Sequence, residues 1–315
     1  MQDANSQPGD ATAAEPLTFT GERFTPETAG EIWYEHWHRY CAVLPLARGK
    51  RVLDAASGEG YGSALLASVA AQVTGIDLSE DAVRHARIRY QEASHLQFVH
   101  APVTQLPLTD ASMDLIVSFE TIEHLQQQEA MLAEFRRVLT PQGLLAISSP
   151  NKPEYSDQRA FHNEFHVKEL TRDELASLLH IGFPLQRWFG QRLQFHSLIW
   201  PEEPGRTPLQ LEMLDYRNGQ VGVDMPMPAP MYFLVVCGGT EAILPEVDRT
   251  SLFADQDQSI YREFERATQA ERKIYRLYLE QEDCIQRLQT QLATVTQERD
   301  SLQLTLQASA GQGKA

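Results

Sequence analysis

The stretch that most constrains this chain is Arg51-Val52-Leu53-Asp54-Ala55-Ala56-Ser57-Gly58-Glu59-Gly60-Tyr61-Gly62-Ser63-Ala64-Leu65-Leu66. A short apolar run enters a loop with glycine at every second position and leaves it as an Ala/Leu-rich helix. A strand, turn and helix in that order set backbone amides over a ligand at a helix N-terminus, so the stretch reads as a nucleotide-type binding turn. An ordinary tight turn of an α/β protein is the bland alternative.

Around this turn the pattern alternates between short apolar runs and amphipathic segments. Strands are expected at Arg51 to Ala55, Gln72 to Asp77, Leu96 to His100, Met113 to Phe119 and Gly143 to Ser148. Helices are expected near Gly60 to Ala70, Glu80 to Glu92 and Glu123 to Leu139, the last stopped by Thr140-Pro141-Gln142-Gly143. Such alternation implies a parallel, doubly wound sheet. After a helix at Arg172 to His180, two further strands, Leu185 to Gln191 and Met231 to Cys237, are joined by a Pro-rich insertion at 193–230 that is long enough to act as a substrate-side flap. Ahead of the turn, Ile32 to Tyr40 reads as an aromatic helix. Its Glu35/Arg39 and His36/Tyr40 pairs share faces, either presenting polar groups over a ligand or simply packing.

Charge argues for the ligand. A dinucleotide turn wants Gly-x-Gly-x-x-Gly against a pyrophosphate, but counting from Gly58 gives Gly60 and then Ser63, and Asp54 adds a carboxylate that repels phosphate. S-adenosylmethionine carries an ammonium and a sulfonium and no phosphate, which suits an acid followed by Gly-x-Gly. The stretch resembles motif I of the class I S-adenosylmethionine-dependent methyltransferases, with Ala56 where that family usually has its first glycine. The resemblance covers roughly residues 20 to 240. It implies a Rossmann-like seven-stranded methyltransferase sheet with an antiparallel closing hairpin, and a cofactor site formed by Asp54, Ser57, Gly58, Gly60, Asp77, Leu78, Val103, Phe119 and Glu120. Asp77, ending Val73-Thr74-Gly75-Ile76-Asp77, is the acid for the ribose hydroxyls. Pro102-Val103 is the adenine cover, without the acid that relatives often place there, so the Val103 backbone must serve.

A sharper constellation is Phe119-Glu120-Thr121-Ile122-Glu123-His124-Leu125. At a strand end turning into a helix, positions i, i+3 and i+4 gather on one side, so two carboxylates and an imidazole converge. Oxygen ligands with one nitrogen suit Mg²⁺, Mn²⁺ or Zn²⁺. His166, in Asn163-Glu164-Phe165-His166-Val167-Lys168-Glu169, offers a fourth ligand, with His162 as the nearby competitor. Glu-x-x-Glu-His with such a His is similar to the metal site of small-RNA 3′-terminal 2′-O-methyltransferases, and its first part resembles ubiquinone-pathway O-methyltransferases. That likeness implies Glu120, Glu123, His124 and His166 as metal ligands. Many superfamily members carry a Glu-His pair here without metal, which leaves His166, with Glu123 and His124, as a metal-free catalytic group. The other histidines, among them His85, His95, His100, His180 and His196, read as surface or packing groups.

The chain carries 27 Lys+Arg against 43 Asp+Glu for a formal net charge of −16, which disfavours a nucleic-acid partner. Three scattered cysteines, Cys41, Cys237 and Cys284, fit neither a disulfide framework nor a zinc site and suggest a reducing cytoplasm. No signal peptide and no membrane-spanning run is visible. Beyond Thr240 a heptad emerges with Tyr278, Ile285, Leu292, Arg299 and Leu306 at a, and Ile274, Gln281, Leu288, Val295 and Leu302 at d. The expected organisation is a disordered tail at 1–15, a catalytic domain at 16–240, a linker at 241–259, a coiled coil at 260–307 and a disordered tail at 308–315.

Taken together, Gly21-Glu22-Arg23-Phe24, Glu35-His36-Trp37-His38-Arg39-Tyr40, the glycine turn, Phe119 to Leu125, Ser148-Ser149-Pro150-Asn151-Lys152 and Phe165 to Leu170 resemble a bacterial methyltransferase family of surface polysaccharide and O-antigen synthesis. That resemblance implies O-methylation of a sugar hydroxyl on a glycan or its precursor, in the cytoplasm or peripherally at the inner membrane. Homo-oligomerisation or a glycosyltransferase partner would act through the coiled coil. A small-molecule O- or N-methyltransferase of secondary metabolism and a cofactor-binding assembly protein are the alternatives.

Overall fold

A computed structural model describes residues 30–194, 214–217, 220–223, 227–246, 250–254 and 258–312. The 1–15 tail, the Gly21–Phe24 motif, His196 and most of the 193–230 insertion lie outside them. The chain divides into two units, 1–254 and 255–315.

In the first unit the order is α1 (Glu31–Ala47), β1 (Arg51–Ala55), α2 (Tyr61–Ala67), β2 (Gln72–Asp77), α3 (Glu80–Arg89), β3 (Leu96–His100), β4 (Met113–Ser118), a single 3₁₀ turn (Ile122–His124), α4 (Gln128–Val138), β5 (Leu139–Pro150), α5 (Arg172–His180), β6 (Leu185–Gln191), β7 (Leu214–Arg217), β8 (Gln220–Val223) and β9 (Tyr232–Gly238). Seven strands form one sheet in the order β3-β2-β1-β4-β5-β9-β6, and β7 and β8 pair separately. Strands β1 to β5 are parallel. β9 runs antiparallel to both β5 and β6, giving the expected closing pair. The strand order reverses between β1 and β4, and at such a point the carboxyl ends of an open sheet leave a crevice.

Neighbouring residues on one strand face opposite layers, which is why the strands read as unbroken apolar runs. Val52, Leu115, Val117, Ala146 and Val236 pack with Tyr40 and Val43 of α1 and Leu66 of α2. Leu53, Ile116, Leu145, Ile147 and Val235 pack with Phe135 of α4 and Leu175 and Leu179 of α5 on the other side.

Two elements depart from expectation. A continuous helix over Glu123 to Leu139 does not form. The backbone N–H groups of Val167 and Lys168 donate to the Glu123 carbonyl at 2.8 and 3.0 Å, and Gln128 Nε2 donates to the Ile122 carbonyl at 2.9 Å. Carbonyls already taken cannot accept the amides of a following turn, so α4 starts only at Gln128. In addition, the first unit does not end near residue 240. Phe253, within the stretch expected to be linker, lies against Trp33, Tyr34 and His38 of α1, and Ser251 bonds His38.

The second unit is one helix, α6 (Ser259–Gln312), of 54 residues and about 80 Å. It continues past 307 into the stretch expected to be disordered. Ile274, Ile285, Leu288, Leu292, Val295 and Leu302 are exposed along it. No helix among the described residues is long and apolar enough to cross a membrane.

Candidate active site

The glycine turn is built from left-handed backbone. Ala56 has φ 61°, Gly58 55° and Gly60 97°. Ala56 thus adopts the conformation that favours glycine at its position in the family. A Cβ on Gly60 would meet the Phe98 ring at 2.8 Å, and one on Gly62 would fall 2.0 Å from Tyr40, so backbone packs where side chains cannot. Glu59, which sequence reasoning passed over, is buried and anchors the turn to α3 through His85 at 3.1 Å, Arg89 at 3.0 Å and Tyr90 at 3.0 Å.

Asp54 departs from its expected role. Rather than facing a cationic ligand, its carboxylate is fully buried and accepts from Tyr40 Oη at 3.0 Å and Ser63 Oγ at 2.6 Å, tying α1 and α2 to β1. Burial pushes it up to about 6, against the pull of those two donors. Asp77 stands at the end of β2 as expected, where Gly58 N–H and Ser79 N–H each donate to it at 2.8 Å. Leu78 beside it is 70% exposed at the crevice, whereas the Val103 side chain is buried in the core and leaves only its backbone for contact.

Past β4, Phe119 packs edge-on against Tyr40 at 5.0 Å. Glu120 has φ 48°, its N–H donates to Ser148 Oγ at 2.9 Å, and its Oε1 accepts from that hydroxyl at 2.6 Å. Arg39 Nη1 lies 3.3 Å from the same oxygen. Arg39 is buried, donates from Nε to Gln191 Oε1 at 2.6 Å, and covers the Tyr232 ring at 4.5 Å. Burial raises the neighbouring Glu35 to about 7, opposed by Arg39 and reinforced by Glu120.

Three of the four expected metal ligands come together. One ligand atom each from Glu123, His124 and His166 lies within 4.8 Å of the others. Glu120 is not in that group, because Ser148 and Arg39 hold it. Glu123 is fully buried, and both its carboxylate oxygens lack a hydrogen-bond partner. Desolvation, then the neighbouring Glu120, pushes it well above the usual carboxylate range. His124 Nδ1 donates to the Phe165 carbonyl at 2.9 Å, which turns Nε2 to within 4.0 Å of Glu123. His166 donates from Nδ1 to Glu169 at 2.6 Å, accepts from Asn163 at 3.0 Å, and stacks on Tyr155. Glu169 and Tyr155 went unrecognised, although the i, i+3 spacing of His166 and Glu169 was a usable signal. His162 is exposed, and His85, His95 and His100 bond to structural partners.

Among the described residues, the buried polar atoms without a partner include Arg39 Nη1, Ser57 Oγ, Ser118 Oγ and the Glu123 carboxylate. They gather at or beside the carboxyl ends of β1 and β4, where a polar ligand would satisfy them. The residues present therefore fit a nucleoside with a charged tail.

Comparison with known proteins agrees. Residues 53–147 match the family model described as a methyltransferase domain. The chain is 43% identical over 177 residues, 55% of its length, to a "probable S-adenosylmethionine-dependent methyltransferase" of Mycobacterium tuberculosis, of whose length it spans 64%. An "O-methyltransferase" of Aspergillus nomiae is 32% identical over 149 residues, covering 44% of this chain and 65% of that one. A further probable S-adenosylmethionine-dependent methyltransferase, from Mycolicibacterium smegmatis, is 39% identical over 188 residues, 58% of this chain and 72% of that one. The chain belongs to the S-adenosylmethionine-dependent methyltransferases.

Proposed function

We propose that this chain transfers a methyl group from S-adenosylmethionine to a sugar hydroxyl of a bacterial surface glycan or its precursor. The observation that carries O-methylation is the buried, unpartnered Glu123 carboxylate beside His124 and His166. When bound, the cofactor supplies an electrophilic methyl group, and the protein's task is to position the acceptor and remove its hydroxyl proton. Asp77 would hold the ribose, Leu78 and the Val103 backbone the adenine, and Phe119 and Glu120 the methionine end.

The same cluster suits a divalent cation. A buried carboxylate without a partner is costly, and a cation offsets that cost. One carboxylate and two imidazoles fit Zn²⁺ or Mn²⁺ better than Mg²⁺. Glu123, His124 and His166 would hold the ion, with the Phe165 carbonyl and Glu169 orienting the two rings. A metal there lowers the pKa of an acceptor hydroxyl. Calorimetric titration of chelator-treated protein with S-adenosylhomocysteine, then with each metal, tests this against His124→Ala. Metal binding to wild type alone supports it. Cofactor binding without metal binding overturns it and leaves His166, oriented by Glu169, to take the proton.

The sugar acceptor is supported by the Glu35–Tyr40, Phe119–Leu125 and Phe165–Leu170 motifs. A cavity of about 430 Å³ also opens near the ends of β5 and β6 and shares no residue with the Glu123 cluster. Trp188, Asn151 and Asp173 line it, and the Arg172 guanidinium sits 4.7 Å over Trp188, a mixture of aromatic and polar groups suited to a sugar. A small-molecule acceptor is the second reading, favoured by the likeness to the Aspergillus protein. Turnover with glycan precursors and with phenolic or polyketide acceptors separates the two.

In this reading α6 pairs with a second copy of the chain, in the cytoplasm where the cofactor is made. A parallel, in-register pair would bring Gln281 to Gln281 and set Arg299 at a against Glu298 at g. A monomer in sedimentation of the full chain would overturn it.

A further inference from the structure

The cofactor is a zwitterion at its amino-acid end, and the crevice holds a matching pair of opposite charges in Arg39 and Glu120. We propose that these two residues clamp that end, with Arg39 taking the α-carboxylate and Glu120 the α-ammonium. The inference rests on the family's use of S-adenosylmethionine and is independent of the acceptor.

Position supports it. Glu120 follows Phe119 directly at the end of β4, and Arg39 precedes Tyr40, whose hydroxyl bonds Asp54 on β1 and whose ring packs against Phe119. Both charges therefore flank the glycine turn on the side away from Asp77, where the tail of a nucleoside held by Asp77 must run. The groups are also preset. Ser148 donates to one carboxylate oxygen of Glu120, and Gln191 fixes the Arg39 Nε, whereas Nη1 has no hydrogen-bond partner. Arg39 is only 2% exposed, so an unsatisfied guanidinium N–H there costs free energy that a ligand carboxylate would recover. Ser57 Oγ, buried in the turn and equally unpartnered, is a second donor for the same end.

Charge complementarity favours this occupant over a simple anion. Arg39 already faces Glu120 and Glu35, so an anion alone would add a third negative charge. A zwitterion brings its own ammonium to Glu120 and keeps the balance. Arg39 lies outside residues 53–147 that match the family model, so α1 would complete a site that the common core leaves open.

The test compares S-adenosylhomocysteine with 5′-methylthioadenosine, which has the same nucleoside and no amino-acid end, by calorimetry on the full chain. Arg39→Gln and Glu120→Gln should each weaken S-adenosylhomocysteine 30- to 300-fold and leave methylthioadenosine within threefold, and Arg39→Lys should recover part of the loss. Parallel loss of both ligands, or unchanged affinity for both, overturns the clamp. Should the variants not fold, the wild-type protein decides: S-adenosylhomocysteine with its carboxylate converted to an amide must bind at least 30-fold more weakly, and equal affinity overturns the proposal. Failure of the wild type to bind S-adenosylhomocysteine at all would instead count against the cofactor reading itself.

Discussion

The two halves of the sheet's carboxyl edge are built on opposite principles. On the β1–β2 side the charged groups are saturated: Asp54 by Tyr40 and Ser63, Asp77 by two backbone amides, Glu59 by His85, Arg89 and Tyr90. On the β4–β5 side Glu123 has no partner, and Arg39 keeps an unbonded nitrogen. A saturated half contributes stability and shape before any ligand arrives. An unsaturated half costs stability and holds chemistry in reserve.

The strongest way to break this comparison is to exchange its consequences. Asp77→Ala should weaken S-adenosylhomocysteine by 100-fold or more. Glu123→Ala should leave that affinity within threefold and lower transfer by a factor of about 10² to 10⁴, the range of a lost acid–base or metal-linked group. Equal loss of cofactor affinity in both would dissolve the distinction between the halves. Next come the opposed stability effects. Asp54→Ala leaves two buried hydroxyls unpaired and should cost about 2–4 kcal/mol in chemical denaturation. Glu123→Gln, measured without metal at pH 7.5, should stabilise by about 1–2 kcal/mol, because a buried charge without a partner is removed. The smallest effect is at Glu35. Its folded pKa of about 7 lies above the model value of 4.5, so the carboxylate costs stability that grows as pH rises through that window. Glu35→Gln should therefore match wild type near pH 4.5 and exceed it by about 1–3 kcal/mol at pH 8, as read from paired denaturation curves.

The strands were legible because both faces of this sheet are covered, so Val, Ile and Leu run unbroken and stop where glycine or acid ends them. The glycine turn and Asp77 were legible because chemistry there depends on residues close in sequence. Arg39 was not, because its role depends on Glu120, Gln191 and Tyr232, which the fold brings from far along the chain. Its pairing with Glu35 on one helix face read equally well as a solvent-side ion pair. Glu120 was misassigned for the same reason: Arg39 and Ser148 draw its carboxylate from the metal set its spacing suggested. The α6 seam was legible from its heptads, since a single helix needs only local sequence.

The two amide bonds that Val167 and Lys168 make to the Glu123 carbonyl have a consequence for the origin of the cluster. They act as a brake on winding. Released from them, Ile122 and Glu123 would join the helix that follows, and each side chain would turn by about 100° relative to its neighbour, carrying the carboxylate out from between the two rings. The catalytic geometry is thus an arrested helix, and the distance from His166 to Lys168 along the chain sets where winding stops. One residue inserted there should erase the cluster while leaving every strand of the sheet in place.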